Sequence, residues 1–194
     1  MNFWQRGFFA VLISALASCT LIIGDSVLVD KVPEPSEATV SQILSGVTVR
    51  LQRFSDKRKL PEVARIGDRT LTAEGDVGLA LQSAFERYIK AHGGRVSLFD
   101  AAVTLTGEIN EWCVVGKPEF PATQLKGSAN IHLEVYDAYS RLLFKGEYSG
   151  TQITTHPLPS QTTVEDVLSG AMKEALNEVF ADSRLTDALS AGQR

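Results

Sequence analysis

Three stretches of alternating apolar and polar residues follow one another in this chain with no helical pattern between them. That succession restricts the fold more than any other feature. Val103, Leu105, Ile109, Cys113 and Val115 share one parity over Val103–Val115; Ile131, Leu133 and Val135 do so within Gln124–Asp137; Leu142, Phe144 and Tyr148 do so within Leu142–Ile153. A period of two marks a half-buried strand. Strands that succeed one another without a crossover helix pair antiparallel, and Asp137-Ala138-Tyr139-Ser140 supplies a turn between the last two. Shorter strands are expected at Val47–Leu51, where Val47, Val49 and Leu51 alternate with polar residues, and at Val96–Leu98. The charged stretch Phe54–Thr72, broken by Pro61 and Gly67, reads as a loop with one short strand at most.

Two segments carry a helical stripe. Val77, Ala80, Leu81, Ala84, Phe85, Tyr88 and Ile89 are spaced for one face of a helix over Asp76–His92. Asp76 suits the N-cap, and Gly93-Gly94 suits the end. Val164, Val167, Leu168, Ala171, Met172, Ala175, Leu176, Val179 and Phe180 mark a longer helix, with Thr162 and Glu165 in capping-box spacing. A short helix over Leu185–Leu189 follows. The chain of 194 residues suits one domain. The expected fold class is therefore α+β, an antiparallel sheet of four to five strands with two helices packed on one face.

The N-terminal residues read as an address. Asn2–Gly7 carries the single charge of Arg6, Phe8–Leu16 is apolar, and small residues lead to Cys19. A charged start, a short apolar core and a small-residue exit describe a secretory signal peptide. The apolar run falls short of the roughly 20 residues that a membrane-spanning helix needs. Leu16-Ala17-Ser18-Cys19 looks like a bacterial lipobox, which implies a diacylglyceryl thioether and an N-acyl chain on Cys19. Two or more chains hold a protein stably where one does so only marginally. Thr20 stands where Asp favours the inner membrane in sorted lipoproteins, so the expected location is the outer membrane, with the domain in the periplasm. The organisation is then residues 1–18 as signal peptide, 19–45 as lipidated cysteine and tether, and 46–190 as the domain. Leu21–Val29 either pairs as a short strand or leads into the tether, and Asp30–Gln42 reads as linker.

Little in the sequence carries chemistry. Gly75-Asp76-Val77-Gly78 lacks the spacing of a phosphate loop. His92, His132 and His156 lie in three elements without a metal-ligand partner at helical spacing, and read as surface residues. No catalytic residue, metal site or cofactor is expected, and a formal net charge of −4 offers nucleic acid no positive field. With Cys19 lipidated, Cys113 is a lone thiol expected within the sheet, facing the helices. Arg50–Arg69 holds seven basic residues against three acidic ones, so Arg50, Arg53, Lys57, Arg58 and Lys59 form a candidate patch for an anionic partner, or a solvated loop. Trp112 and Val114 fall on the polar parity of Thr104, Thr106, Glu108 and Asn110. Three readings fit the indole: a cover from the loop Gly116–Lys126 or from Leu21–Val29, a β-bulge that flips the parity, or a partner surface of Trp112, Val114, Phe120, His132 and Tyr136.

Gly46-Val47-Thr48-Val49 running into Asp56-Lys57-Arg58 and Ile66-Gly67, then Ala91-His92-Gly93-Gly94 before Val96, then the capped helix closing at Ala181-Asp182, resembles the YajG lipoprotein family of Gram-negative bacteria. The resemblance implies a surface-anchored periplasmic α+β domain and carries over no residue beyond the lipidated cysteine. The expected function is a non-catalytic interaction or accessory module of the cell envelope, attached to the membrane through Cys19 and bound to an envelope protein. The alternative is a binding module for an envelope glycan or lipid.

Overall fold

The computed structural model describes residues 26–29, 33–35 and 42–191. Its nine strands form one mixed sheet: β1 (Ser26–Leu28), β2 (Thr48–Leu51), β3 (Ser55–Asp56), β4 (Glu62–Ile66), β5 (Arg69–Glu74), β6 (Arg95–Val96), β7 (Val103–Glu119), β8 (Ala122–Asp137) and β9 (Leu142–His156). Three helices complete it: α1 (Val77–Ala91), α2 (Gln161–Ala181) and α3 (Ser183–Ala191). The expected antiparallel sheet of four to five strands with two helices is thus corrected to a mixed sheet of nine strands with three helices among the described residues.

The antiparallel part is the meander read from the alternating runs. β7 pairs β8 from Val103↔Asp137 to Glu119↔Ala122, and β8 pairs β9. The stretch Gly116–Lys126 is strand continued into a tight hairpin, whose tip holds a cis Phe120–Pro121 bond. The other edge of β7 is parallel. β2 pairs it at Val103–Leu105, β3 at Glu108–Ile109 and β4 at Val114–Gly116. The chain between β5 and β7 passes through α1, a crossover that brings β7 back alongside β2 and β4 in the same direction. β6 adds to β2, β5 adds to β4, and β1 adds to β5. Val27 and Val29 are buried, and of the two readings of Leu21–Val29 the short strand is the one present at Ser26–Leu28.

The helices begin and end for local reasons. The Asp76 carboxylate accepts the Leu79 N–H at 3.0 Å and caps α1, while Gly93, at a φ of 86°, turns the chain out of it. α2 begins two residues earlier than the Thr162–Glu165 spacing suggests. The Ser160 hydroxyl accepts the Thr163 N–H at 3.2 Å, and the Ser160 N–H donates to the Thr163 hydroxyl at 3.2 Å. Every residue of the two apolar stripes is buried. His92 is buried as well, rather than on the surface. Its ring stacks on Phe180 at 4.8 Å, and its Nδ1–H donates to the Tyr88 carbonyl at 2.7 Å. Phe180 also meets Phe85 and Tyr88, so α1 and α2 share one core.

α2 lies on the sheet closely enough to exclude side chains beneath it. A Cβ on Gly150 would fall 2.0 Å from the Ala171 carbonyl oxygen, and one on Gly127 would fall 2.7 Å from that of Val167. Beside this trench stands Trp112. The register of β7 on β8 shifts between Ile109 and Glu111, so a bulge inserts one residue and every side chain beyond it changes face. Trp112 is 2% exposed, and its Nε1–H donates to the Leu168 carbonyl of α2 at 3.0 Å. Val114 is buried too, and Cys113 turns to the opposite face. Of the three readings of Trp112, the bulge is the one present. Trp112→Ala should cost about 3–5 kcal/mol, as for other core aromatics, read as a shift in the denaturant midpoint at unchanged slope.

Candidate functional site

β3 and β4 pair with β7 on either side of the bulge, and residues 57–61 between them leave its edge uncovered over Asn110–Cys113. A cleft of about 490 Å³ occupies this gap. Leu60, Ala64, Val114 and Val115 supply apolar wall, with Arg58 and Lys59 beside them. Arg58 is held in place by the local sequence: Nε and Nη2 donate to the two Asp56 carboxylate oxygens at 2.9 and 2.8 Å, and Nη1 reaches the Trp112 carbonyl at 3.5 Å. The Arg58 hydrogen bond pulls the Asp56 carboxyl below its usual range.

The basic patch read from the sequence divides on folding. Arg53 pairs with Asp76, Arg58 with Asp56, and Arg50 donates through Nη2 to the Phe99 carbonyl at 3.5 Å. Lys57 and Lys59 are exposed and form no ion pair among the described residues. Arg50, which meets only a carbonyl, Lys57 and Lys59 therefore keep uncompensated charge among the described residues, and Lys59 lines the cleft.

The residues proposed as a partner surface also divide. Trp112 and Val114 lie in the core and offer nothing to a partner, because the bulge turns them inward. Phe120 is fully exposed at the hairpin tip. His132 is buried rather than on the surface, yet it lies with Tyr136 on the side of the sheet away from the helices, joined through Glu134, which accepts from the Tyr136 hydroxyl, from His132 Nε2 at 3.2 Å and from Lys145 Nζ at 3.1 Å. The Tyr136 hydrogen bond, followed by those of His132 and Lys145, lowers the Glu134 carboxyl to about 2. This carboxylate stabilises the fold above its ordinary value near 4.5, and the contribution is lost as pH falls toward 2. Acid unfolding should accordingly be shallower over that window in Glu134→Gln, followed by circular dichroism.

Cys113 lines the cleft on the open face rather than facing the helices, since it lies beyond the bulge. Burial first, and then the Glu111 carboxylate, push its thiol up to about 11. A neutral thiol reacts slowly. Labelling of the native protein at neutral pH should be far slower than that of free cysteine, and should rise about tenfold per pH unit on approach to pH 11.

Glu62, Arg65, Asn110, Glu111 and Asn130 complete the cleft and carry no sequence signal that joins them, because the pairing of β7 with β4 on one edge and with β8 on the other brings them together. Among the described residues no group of three His, Cys, Asp or Glu side chains could hold a metal ion, and no helix is long and apolar enough to cross a membrane. Cys19 lies outside the described residues.

These features define an α+β domain with one helix-covered and one open sheet face, and a recess where the edge of its longest strand is uncovered. The chain belongs to a bacterial family of uncharacterised lipoproteins, whose model matches residues 33–190. No curated protein matches it significantly. Among solved structures it is similar to protein XCC0632 of Xanthomonas campestris, at a TM-score of 0.54 and 11% identity, over 88% of this chain and 96% of that one. That likeness is one of fold. A Caulobacter crescentus protein described as a lipoprotein matches at a TM-score of 0.45 and 20% identity, over 72% of this chain and 92% of that one. The minor lipoprotein of Acinetobacter baumannii matches at a TM-score of 0.40 and 10% identity, over 77% of this chain and 95% of that one.

Proposed function

We propose that this protein is a lipid-anchored accessory module of the cell envelope, one that works by binding rather than by catalysis. The observation that carries the reading is the coincidence of a lipoprotein family match with a complete lipobox ending at Cys19. The anchor is a diacylglyceryl, N-acylated Cys19. Thr20 supports the outer membrane as its location, with the domain in the periplasm, in line with the likeness to YajG lipoproteins. The cleft beside β7 is the candidate contact site for an envelope protein. Its apolar wall and the unpaired Lys59 suit an acidic segment with apolar side chains. The same recess favours a second reading, a module that binds an envelope lipid or glycan, because a concave site in which polar groups stand around apolar wall is also how small ligands are held.

Replacing Cys19 with Ser should release the protein from the membrane fraction or leave it unprocessed. A fully processed Cys19→Ser chain that still cofractionates with outer-membrane lipid would overturn the anchor. Photocrosslinking from position 60 in intact cells separates the two readings of the cleft, giving a protein adduct in the first and a lipid or glycan adduct in the second.

A further inference from the structure

The direction in which β1 enters the sheet bears on how the domain sits against a membrane. β1 runs parallel to β5, with Ser26 opposite Thr72, so the N-terminal end of β1 lies on the side where β5 starts at Arg69. The turn that precedes Arg69 rests against the base of the β7–β8 hairpin. The Gly67 N–H donates to the Gly116 carbonyl at 3.3 Å, and the Pro118 ring lies beside Gly67. Six residues separate Cys19 from Ser26, and the seven steps between them, at about 3.5 Å each, reach roughly 25 Å at most. A lipid on Cys19 therefore keeps the domain within reach of the bilayer, and the direction of β1 favours the hairpin end of the sheet.

The surface at that end suits the position. Phe120 is fully exposed at the tip, flanked by Pro121. Val115 and Ile153 lie on either side of Lys126 in one cross-strand row and are 54% and 56% exposed. Leu158, just past the end of β9, is exposed as well. Lys126 stands on the hairpin among these apolar groups, and Lys117 is paired there with Glu119 at 2.7 Å. Aromatic and aliphatic tips gain by entering the headgroup boundary, while a lysine such as Lys126 reaches the phosphates with its ammonium end.

We propose that the β7–β8 hairpin tip, with Phe120 leading, is a second membrane contact, which inserts into the leaflet that carries the Cys19 lipid and sets the orientation of the domain. The proposal rests on the lipid anchor argued above. It leaves the opposite end of the sheet, where Phe99 is 85% exposed before the start of β7, facing away from the bilayer. The 17 residues of β7 span roughly 55 Å, far more than an interface is deep.

The test places an indole at each end of the full chain, Phe120→Trp or Phe99→Trp, both exposed positions at which the fold has nothing to lose. The purified proteins are reconstituted in vesicles of phosphatidylethanolamine with a minority of phosphatidylglycerol, bearing brominated acyl chains that quench nearby indoles. Mass spectrometry of the N-terminal residue reports the anchor independently. The expected result is a blue shift and a roughly twofold loss of the added emission for Phe120→Trp, with none for Phe99→Trp. If the N-terminal residue carries lipid and Phe120→Trp is not quenched, the tip contact is wrong and the anchor stands. Quenching of Phe99→Trp in place of Phe120→Trp would overturn the orientation. If no lipid is found, the anchor reading fails; quenching of Phe120→Trp on added vesicles still supports the tip, and its absence overturns it.

Discussion

The close seat of α2 on the sheet is the contact on which the rest of the structure depends. Helix backbone can approach strand backbone this nearly only where no side chain intervenes, and Gly127 and Gly150 provide that gap on neighbouring strands. Trp112 stands beside the trench and donates to the backbone of α2, tying the helix to β7 as well as to β8 and β9. The same seat protects an edge. The Glu174 and Glu178 carboxylates accept the Thr151 and Ser149 N–H groups of β9 at 2.6 and 3.4 Å, so part of the free edge cannot pair with another chain. One docking event thus fills the core, fixes the indole and blunts the sheet.

β7 is the spine around which the other strands are arranged, and its two edges play different parts. The antiparallel edge is continuous and rigid, with β8 and β9 paired along nearly its whole length. The parallel edge is built from three short pieces, and short pieces leave gaps. The bulge falls opposite one gap, so both strands depart from regular pairing at the same level, and the cleft is the result. Bulges recur where a strand must re-aim its side chains beside a site. Here one extra residue sends Trp112 and Val114 into the core and presents Cys113 and Val115 to the recess.

Charge on this protein is used mainly for order. Arg53, Arg58 and Arg65 are each tied to a nearby carboxylate, and Glu134 gathers three donors on the open face. Exposed pairs of this kind add little stability. Their effect is to hold side chains in place, Arg58 above all, whose guanidinium lies largely buried between Asp56 and the backbone of β7. What remains for a partner is a small number of cations, Lys59 among them beside apolar wall, which is a more selective surface than a broad basic patch would be.

The sequence by itself determined the elements whose signal is local. The stripes of α1 and α2, the cap at Asp76, the exit at Gly93 and the meander of β7 to β9 all follow from periodicity and terminal residues within one segment. Only the tertiary structure decided what depends on partners distant in the chain. Of the short strands β1 to β6, β2 shows in the alternation of Val47, Val49 and Leu51, but β3, β4 and β5 lie in the stretch read as a loop, and the parallel pairing of β2, β3 and β4 with β7 is made by the α1 crossover. The bulge is one residue without a distinctive signature, yet it reverses every inward and outward assignment after Ile109, since side chains alternate with a period of two. The cleft belongs to this second kind, because Leu60, Ala64 and Val115 become neighbours only once β4 lies beside β7. Trp112 and Cys113 exchanged their expected faces for the same physical reason: a strand pattern states which residues share a face, and the register of the sheet states which face it is.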